Sequence, residues 1–124
     1  MDGAELRFLV TDGDTALALG SGSVPALATP RLIAWLEAAT MAALSGELTP
    51  GTTSVGARVD VEHLRPSPVG ASVVVGARVI ERADRRVRLA VWAEQAAPGG
   101  AVRIASGTVE RVVVDTARFL AGLG

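Results

Sequence analysis

The chain has 124 residues, 49% of them apolar and 20% charged, with a formal net charge of −1. That length suits one domain with a genuine core, and the composition excludes a disordered chain. All twelve basic residues are arginine, scattered among thirteen acidic ones, so no basic stripe marks a nucleic-acid partner. With no cysteine and a single histidine, disulfides, thiolate chemistry and a histidine-rich metal centre are excluded, and the expectation is no metal and no redox cofactor.

The first ten residues carry Asp2, Glu5 and Arg7 and lack a long apolar run, which predicts neither a signal peptide nor a membrane span and leaves the cytoplasm as the expected compartment. Glu5 to Val10 reads as a short strand. Thr11 to Pro25, rich in Asp, Gly and Ser, reads as a loop or lid. In Pro30 to Ser45 the large apolar residues Leu32, Ile33, Trp35, Leu36, Met41 and Leu44 are separated mainly by alanine, the pattern of a helix that is apolar all round and therefore buried.

From Thr52 the period becomes two: Val55, Ala57, Val59, Val61 and His63 are expected on one face, and Arg58, Asp60 and Glu62 on the other. Arg65 to Gly70 breaks this strand. Three more strands follow over Ser72 to Arg82, Arg86 to Gln95 and Ala101 to Asp115. They are joined by Ala83-Asp84-Arg85 and Pro98-Gly99-Gly100, which have hairpin-turn composition. Gly107 inside the last strand predicts a bulge, and a short helix is expected from about Thr116.

This order, one buried helix followed by four long antiparallel strands, predicts an α+β hotdog fold occupying residues 1–124 as a single domain. A curved sheet with exposed edges, partly covered by one helix, calls for a second copy. A homodimer, or a dimer of dimers, is expected.

Three residues stand out for chemistry. Glu37 is the acidic residue within the apolar helix, so it either has a partner or faces a solvent-filled groove. His63 ends the apolar row of its strand and points toward the helix side, where it can meet Glu37, exchange protons near neutrality or be held structurally by a backbone carbonyl. Thr29 directly precedes Pro30 in the manner of an N-cap, a role compatible with support of an oxyanion at the helix N-terminus. Eight helical residues separate Thr29 from Glu37, a rise of roughly 12 Å. Either substrate lies between them, or Thr29 of one subunit approaches Glu37 of another, and the second arrangement is the expectation.

The segments Ala28-Thr29-Pro30 through Trp35-Leu36-Glu37, Ser54-Val55-Gly56 through Val61-Glu62-His63, and Ser106-Gly107-Thr108-Val109-Glu110-Arg111 together resemble the fluoroacetyl-CoA thioesterase family, from about Pro25 to the C-terminus. The resemblance implies Thr29, Glu37 and His63 as the catalytic set and places the family's active-site glycine and arginine on Gly56 and Arg111 as substrate-binding residues. Gly56 can equally be a strand kink, and Arg111 can orient Glu37 instead of touching substrate. The fluoroacetate-specialised enzyme closes its pocket with phenylalanines, whereas Thr11 to Pro25 has none. Fluoroacetyl specificity is therefore not implied.

The resulting expectation is an acyl-CoA thioesterase that hydrolyses a small or medium acyl-CoA, with CoA as part of the substrate and no cofactor. The thiolate leaves with little acid help, so the work lies in supplying a nucleophile and holding the oxyanion. Two alternatives are a hotdog hydratase or dehydratase, and a binding protein that holds acyl-CoA or another apolar ligand without turning it over. Asp60 and His63, the acid and histidine a hydratase would pair, alternate to opposite strand faces.

Overall fold

The computed structural model describes residues 3–124. Five strands, β1 (Gly3–Leu9), β2 (Thr52–His63), β3 (Ser72–Ala83), β4 (Arg86–Ala97) and β5 (Gly100–Asp115), form one sheet in the order β1-β3-β4-β5-β2. Every neighbouring pair is antiparallel. One turn of helix, α1 (Ala16–Leu19), lies in the segment after β1, the long helix α2 (Thr29–Leu44) crosses the sheet, and α3 (Thr116–Ala121) follows β5. Asp115 caps α3 by accepting from the Arg118 amide.

The hairpins follow their turn chemistry. Asp84 adopts φ 55° in the two-residue connection between β3 and β4, a left-handed conformation that a short polar side chain tolerates. Gly99, at φ 82° after Pro98, turns β4 into β5.

The core lies between α2 and the inner face of β3 and β4. Val73, Val75 and Ala77 from β3 and Leu89, Val91 and Ala93 from β4 meet Leu32, Leu36 and Ala39 of the helix, all essentially without exposure. Alternation of period two thus holds where the sheet has one buried face. Phe8 of β1 stacks on Trp35 with ring centroids 4.6 Å apart.

Three local features differ from the expectations. The helix is not buried on every side: Met41 is 52% exposed and Ala34 is also exposed, because α2 packs chiefly on β1 and β3 and only lightly on β4 and β2. An apolar flank beside β2 is left uncovered. Secondly, the register of β2 against β5 shifts between Gly56 and Arg58, so the alternation breaks at Ala57. Ser54 and Gly56 face the helix side before the bulge, and Val61 and His63 face it afterwards, so Val55 is not on the face of Val61.

The third concerns Gly107, which pairs regularly with Val61 and is not itself a bulge; the irregularity in β5 lies nearer Ile104. A Cβ at Gly107 would fall onto the Asp60 carbonyl and crowd Val61 Cα of β2. Glycine is required there by the close approach of two backbones. Gly107→Ala is expected to cost about 2 kcal/mol, seen as a lower urea midpoint at unchanged slope. A midpoint equal to the wild type's would refute the packing argument.

Candidate active site

Thr29 is the first residue of α2 and not its cap. The cap position falls on extended Ala28, whose carbonyl accepts from the Leu32 amide, and no side chain caps the helix. Pro30 then occupies the second helical position, where its missing N–H costs no helical hydrogen bond. The Thr29 hydroxyl is consequently available for a different partner. Its Oγ1 lies 2.8 Å from Nδ1 of His63, at the end of β2.

His63 is half-buried, and its Nε2 is buried with no hydrogen-bond partner among the described residues. Loss of hydration pushes its pKa below the ordinary 6.5, partly opposed by the Arg65 backbone. The imidazole is therefore neutral at neutral pH. One ring nitrogen is shared with the Thr29 hydroxyl and the other is enclosed, so a proton can pass to or from the ring through the hydroxyl.

The sign of this shift gives two expectations. Between the folded pKa and 6.5 the unfolded chain binds more protons at His63, so its contribution to stability is fully present above 6.5 and is lost as pH falls through that window. The acid limb of kcat/KM is expected to have its midpoint below 6.5. A pH series followed by activity and by thermal melting checks both, and an acid midpoint at or above 6.5 would contradict the burial argument.

The second group of residues is centred on Glu37, two turns further along α2. Its carboxylate Oε2 accepts from Arg111 Nη1 at 3.4 Å. Arg111 itself is only 4% exposed. Its Nε donates to Ser54 Oγ at 2.8 Å and its Nη2 to the Ser54 carbonyl at 2.9 Å, while Nη1 also reaches Thr40 Oγ1 at 3.5 Å. Thr40 in turn donates to the Glu37 carbonyl. Burial lowers the guanidinium's pKa and the Glu37 charge opposes that effect. Arginine nevertheless remains a cation, and Glu37 has a fixed counter-charge.

Gly56 stands opposite Arg111 in the β2–β5 ladder. A Cβ there would collide with Glu37 Oε2, so this glycine gives the carboxylate the space it occupies. All five residues singled out in the sequence thus enter contacts near α2, but within one chain they divide into two groups. Thr29 meets His63; Glu37, Arg111 and Gly56 meet one another. His63 does not meet Glu37 in the chain: about 12 Å of helix separates the two groups along α2, and seven residues separate Gly56 from His63 along β2, roughly 20 Å.

Ser54 and Thr40 were not recognised in the sequence as site residues. Thr40, three positions after Glu37, and Ser54, two before Gly56 on the same strand face, have the spacing that places them there. Asp60, by contrast, is exposed, which leaves the acid–histidine pair of a hydratase unmade within the chain. No three His, Cys, Asp or Glu side chains among the described residues are grouped to hold a metal ion, and no helix among them is long and apolar enough to cross a membrane.

A sheet wrapped on one long helix, with a hydroxyl–imidazole couple and an arginine-held carboxylate, defines the class as a hotdog thioester hydrolase. The chain belongs to the family described as FlK, fluoroacetyl-CoA-specific thioesterase, whose model matches residues 10–117. It resembles the solved structure of the fluoroacetyl-CoA thioesterase FlK with a TM-score of 0.89 and 27% identity, covering 98% of this chain and 91% of that one. A thioesterase superfamily member from Thermus thermophilus gives a TM-score of 0.86 and 26% identity over 98% and 87% of the two chains. A hot-dog-like protein from Thermanaerovibrio acidaminovorans gives 0.85 and 26% over the same shares. A search of curated proteins by sequence found no match.

Proposed function

We propose that the protein hydrolyses a short acyl-CoA to the free acid and CoA at a site completed by a second copy of the chain. The observation that carries this reading is the pairing of Thr29 Oγ1 with His63 Nδ1 at 2.8 Å beside a cavity of about 320 Å³, with the only other candidate catalytic group, Glu37, out of reach in the same chain. The uncovered flank of α2 and the free edge of β2, where Val59 is 38% exposed, supply an apolar surface for the partner.

A two-fold axis near Val59 and Asp60 that pairs the two β2 edges antiparallel would set Gly56 of one subunit opposite His63 of the other. Glu37, lying against Gly56, then enters the partner's Thr29–His63 cavity, and two equivalent sites result. In each, the thioester carbonyl sits between the couple and the carboxylate. Attack on its carbon breaks the C–S bond, the thiolate departs without acid help, and the His63–Thr29 couple and Glu37 carboxylate take up and return the proton of the water consumed. Thr29 brings the positive end of α2 to the same cavity, where the helix dipole supports the oxyanion.

Release of free thiol from a panel of short, branched, aromatic and long acyl-CoAs tests the activity. Wild type is expected to release thiol from the short members and His63→Ala from none. No release across the panel would reject hydrolysis. Mixed dimers test the assembly: Thr29→Ala chains combined with Glu37→Ala chains should regain one intact site in a mixed dimer. Failure to regain activity would reject the shared site.

A further inference from the structure

The cavity beside Thr29 and His63 is bounded by the segment after β1 and by the end of β2. From the first side it is lined by small groups, among them Ala16, Ser21, Gly22 and Val24, and no Phe, Tyr or Trp is among the described residues lining it. No Asp or Glu is among the described residues lining it, and His63 is held neutral by burial. Among the described residues of the chain that line it, the one permanent charge is Arg65.

Arg65 sits two residues beyond the catalytic imidazole, and its position is fixed. Leu64 and Arg65 amides both donate to the Ile104 carbonyl, at 2.7 and 3.4 Å, pinning this chain end to β5. The guanidinium itself is exposed, and it takes part in none of the ion pairs or side-chain hydrogen bonds among the described residues. Arg31, Arg82, Arg86, Arg103 and Arg111 each have a carboxylate partner; of the arginines without one among the described residues, Arg65 is the one that lines this cavity. The Glu37 carboxylate that a second copy brings to this cavity carries its own Arg111 counter-charge, so the Arg65 guanidinium keeps a planar fork to offer a carboxylate or phosphate.

Position decides between those two anions. With the thioester carbonyl at the Thr29–His63 couple, the phosphates of CoA lie a full pantetheine arm away from the sulfur. Arg65 lines the same cavity as Thr29 and His63, only two residues from the imidazole, within reach of the far end of a short acyl chain and not of phosphates that lie beyond the whole arm. An anion held there is assigned to the acyl group.

We propose that Arg65 selects CoA thioesters of short dicarboxylic acids, binding the carboxylate at the far end of the acyl chain. The distal carboxylate is unchanged by the reaction: water adds to the thioester carbon, the C–S bond breaks and CoA leaves as the thiolate. This assignment rests on the thioesterase reading above and adds to it the class of acid released.

Butyryl-CoA and succinyl-CoA, alike in chain length and different in the terminal group, provide the test, with thiol release corrected for spontaneous hydrolysis. Wild type is expected to prefer succinyl-CoA by about tenfold or more in kcat/KM, the range of a hydrogen bond to a charged group. Arg65→Ala should bring the ratio near one, Arg65→Glu below one, and Arg65→Lys should keep part of the preference because the charge persists without the fork. Melting curves of each variant report that it is folded. A wild-type ratio near one, or a ratio that Arg65→Ala leaves intact, overturns the assignment while hydrolysis of butyryl-CoA still upholds the thioesterase. If Arg65→Ala instead lowers kcat/KM for both thioesters together and weakens inhibition by free CoA, the anion is a CoA phosphate and the assignment is again overturned. Absence of thiol release from both substrates overturns this proposal, and absence across the whole panel rejects the thioesterase reading as well.

Discussion

Glu37→Gln is expected to lower kcat by about 10²- to 10⁴-fold, the range for loss of a positioned proton-transfer group, with little change in KM and a lower melting temperature, because the buried Arg111 guanidinium loses its counter-charge. The substitution keeps the size and planarity of the side chain, so the space opposite Gly56 remains filled and the Arg111 fork retains an oxygen to donate to. What disappears is the negative charge. In the native chain the carboxylate is 36% exposed while its guanidinium partner is 5% exposed, so the charge is fixed from the protein side and available from the other. Release of free thiol under saturating substrate reads the effect. A kcat within about threefold of wild type, which is less than 1 kcal/mol in barrier, would remove Glu37 from the chemistry and leave it as a partner of Arg111 alone.

The contrast between Glu37 and Thr29 shows what the sequence could and could not convey. A carboxylate among alanines and leucines is costly to bury, so Glu37 called for either a partner or a solvent-facing groove, and it has both: Arg111 on one side and 36% exposure on the other. Thr29 before Pro30 satisfies the local preferences of an N-cap, yet the helix begins one residue earlier and the hydroxyl turns to His63. Helix boundaries shift by a residue at little energetic cost, and a tertiary hydrogen bond is enough to decide them. The strand pattern behaved similarly: alternation in β3 and β4, where a continuous core enforces it, was legible, while the bulge at Ala57 in β2 had no marker. That bulge has a consequence for the site. It allows Ser54 and Gly56 to face Arg111 and Glu37 while Val61 and His63, at odd rather than even positions, still face the helix side. A strict period-two reading puts these two sets on opposite faces, so the link between the carboxylate group and the imidazole end of β2 emerges only from the register with β5.

Arg111→Met is expected to destabilise the fold by about 3–5 kcal/mol, the cost of breaking a buried, hydrogen-bonded charged group from one side, and to abolish turnover. Methionine fills much of the volume but leaves the Ser54 carbonyl and hydroxyl without their donors and Glu37 without its counter-charge. Urea denaturation and thiol release measure the two effects. Because an unstable variant loses activity for trivial reasons, Arg111→Lys separates the roles. An ammonium preserves the charge but cannot form the planar fork that spans Ser54 and Glu37 at once. Arg111→Lys should therefore keep most of the stability, lower kcat by about tenfold or more through misplacement of the carboxylate, and leave the KM less affected than kcat. A larger effect on KM than on kcat would instead mean that the guanidinium binds substrate directly. A buried side chain that already spends four of its five N–H groups on Ser54, Thr40 and Glu37 has little left to offer one, which is why the kcat effect is the expected result.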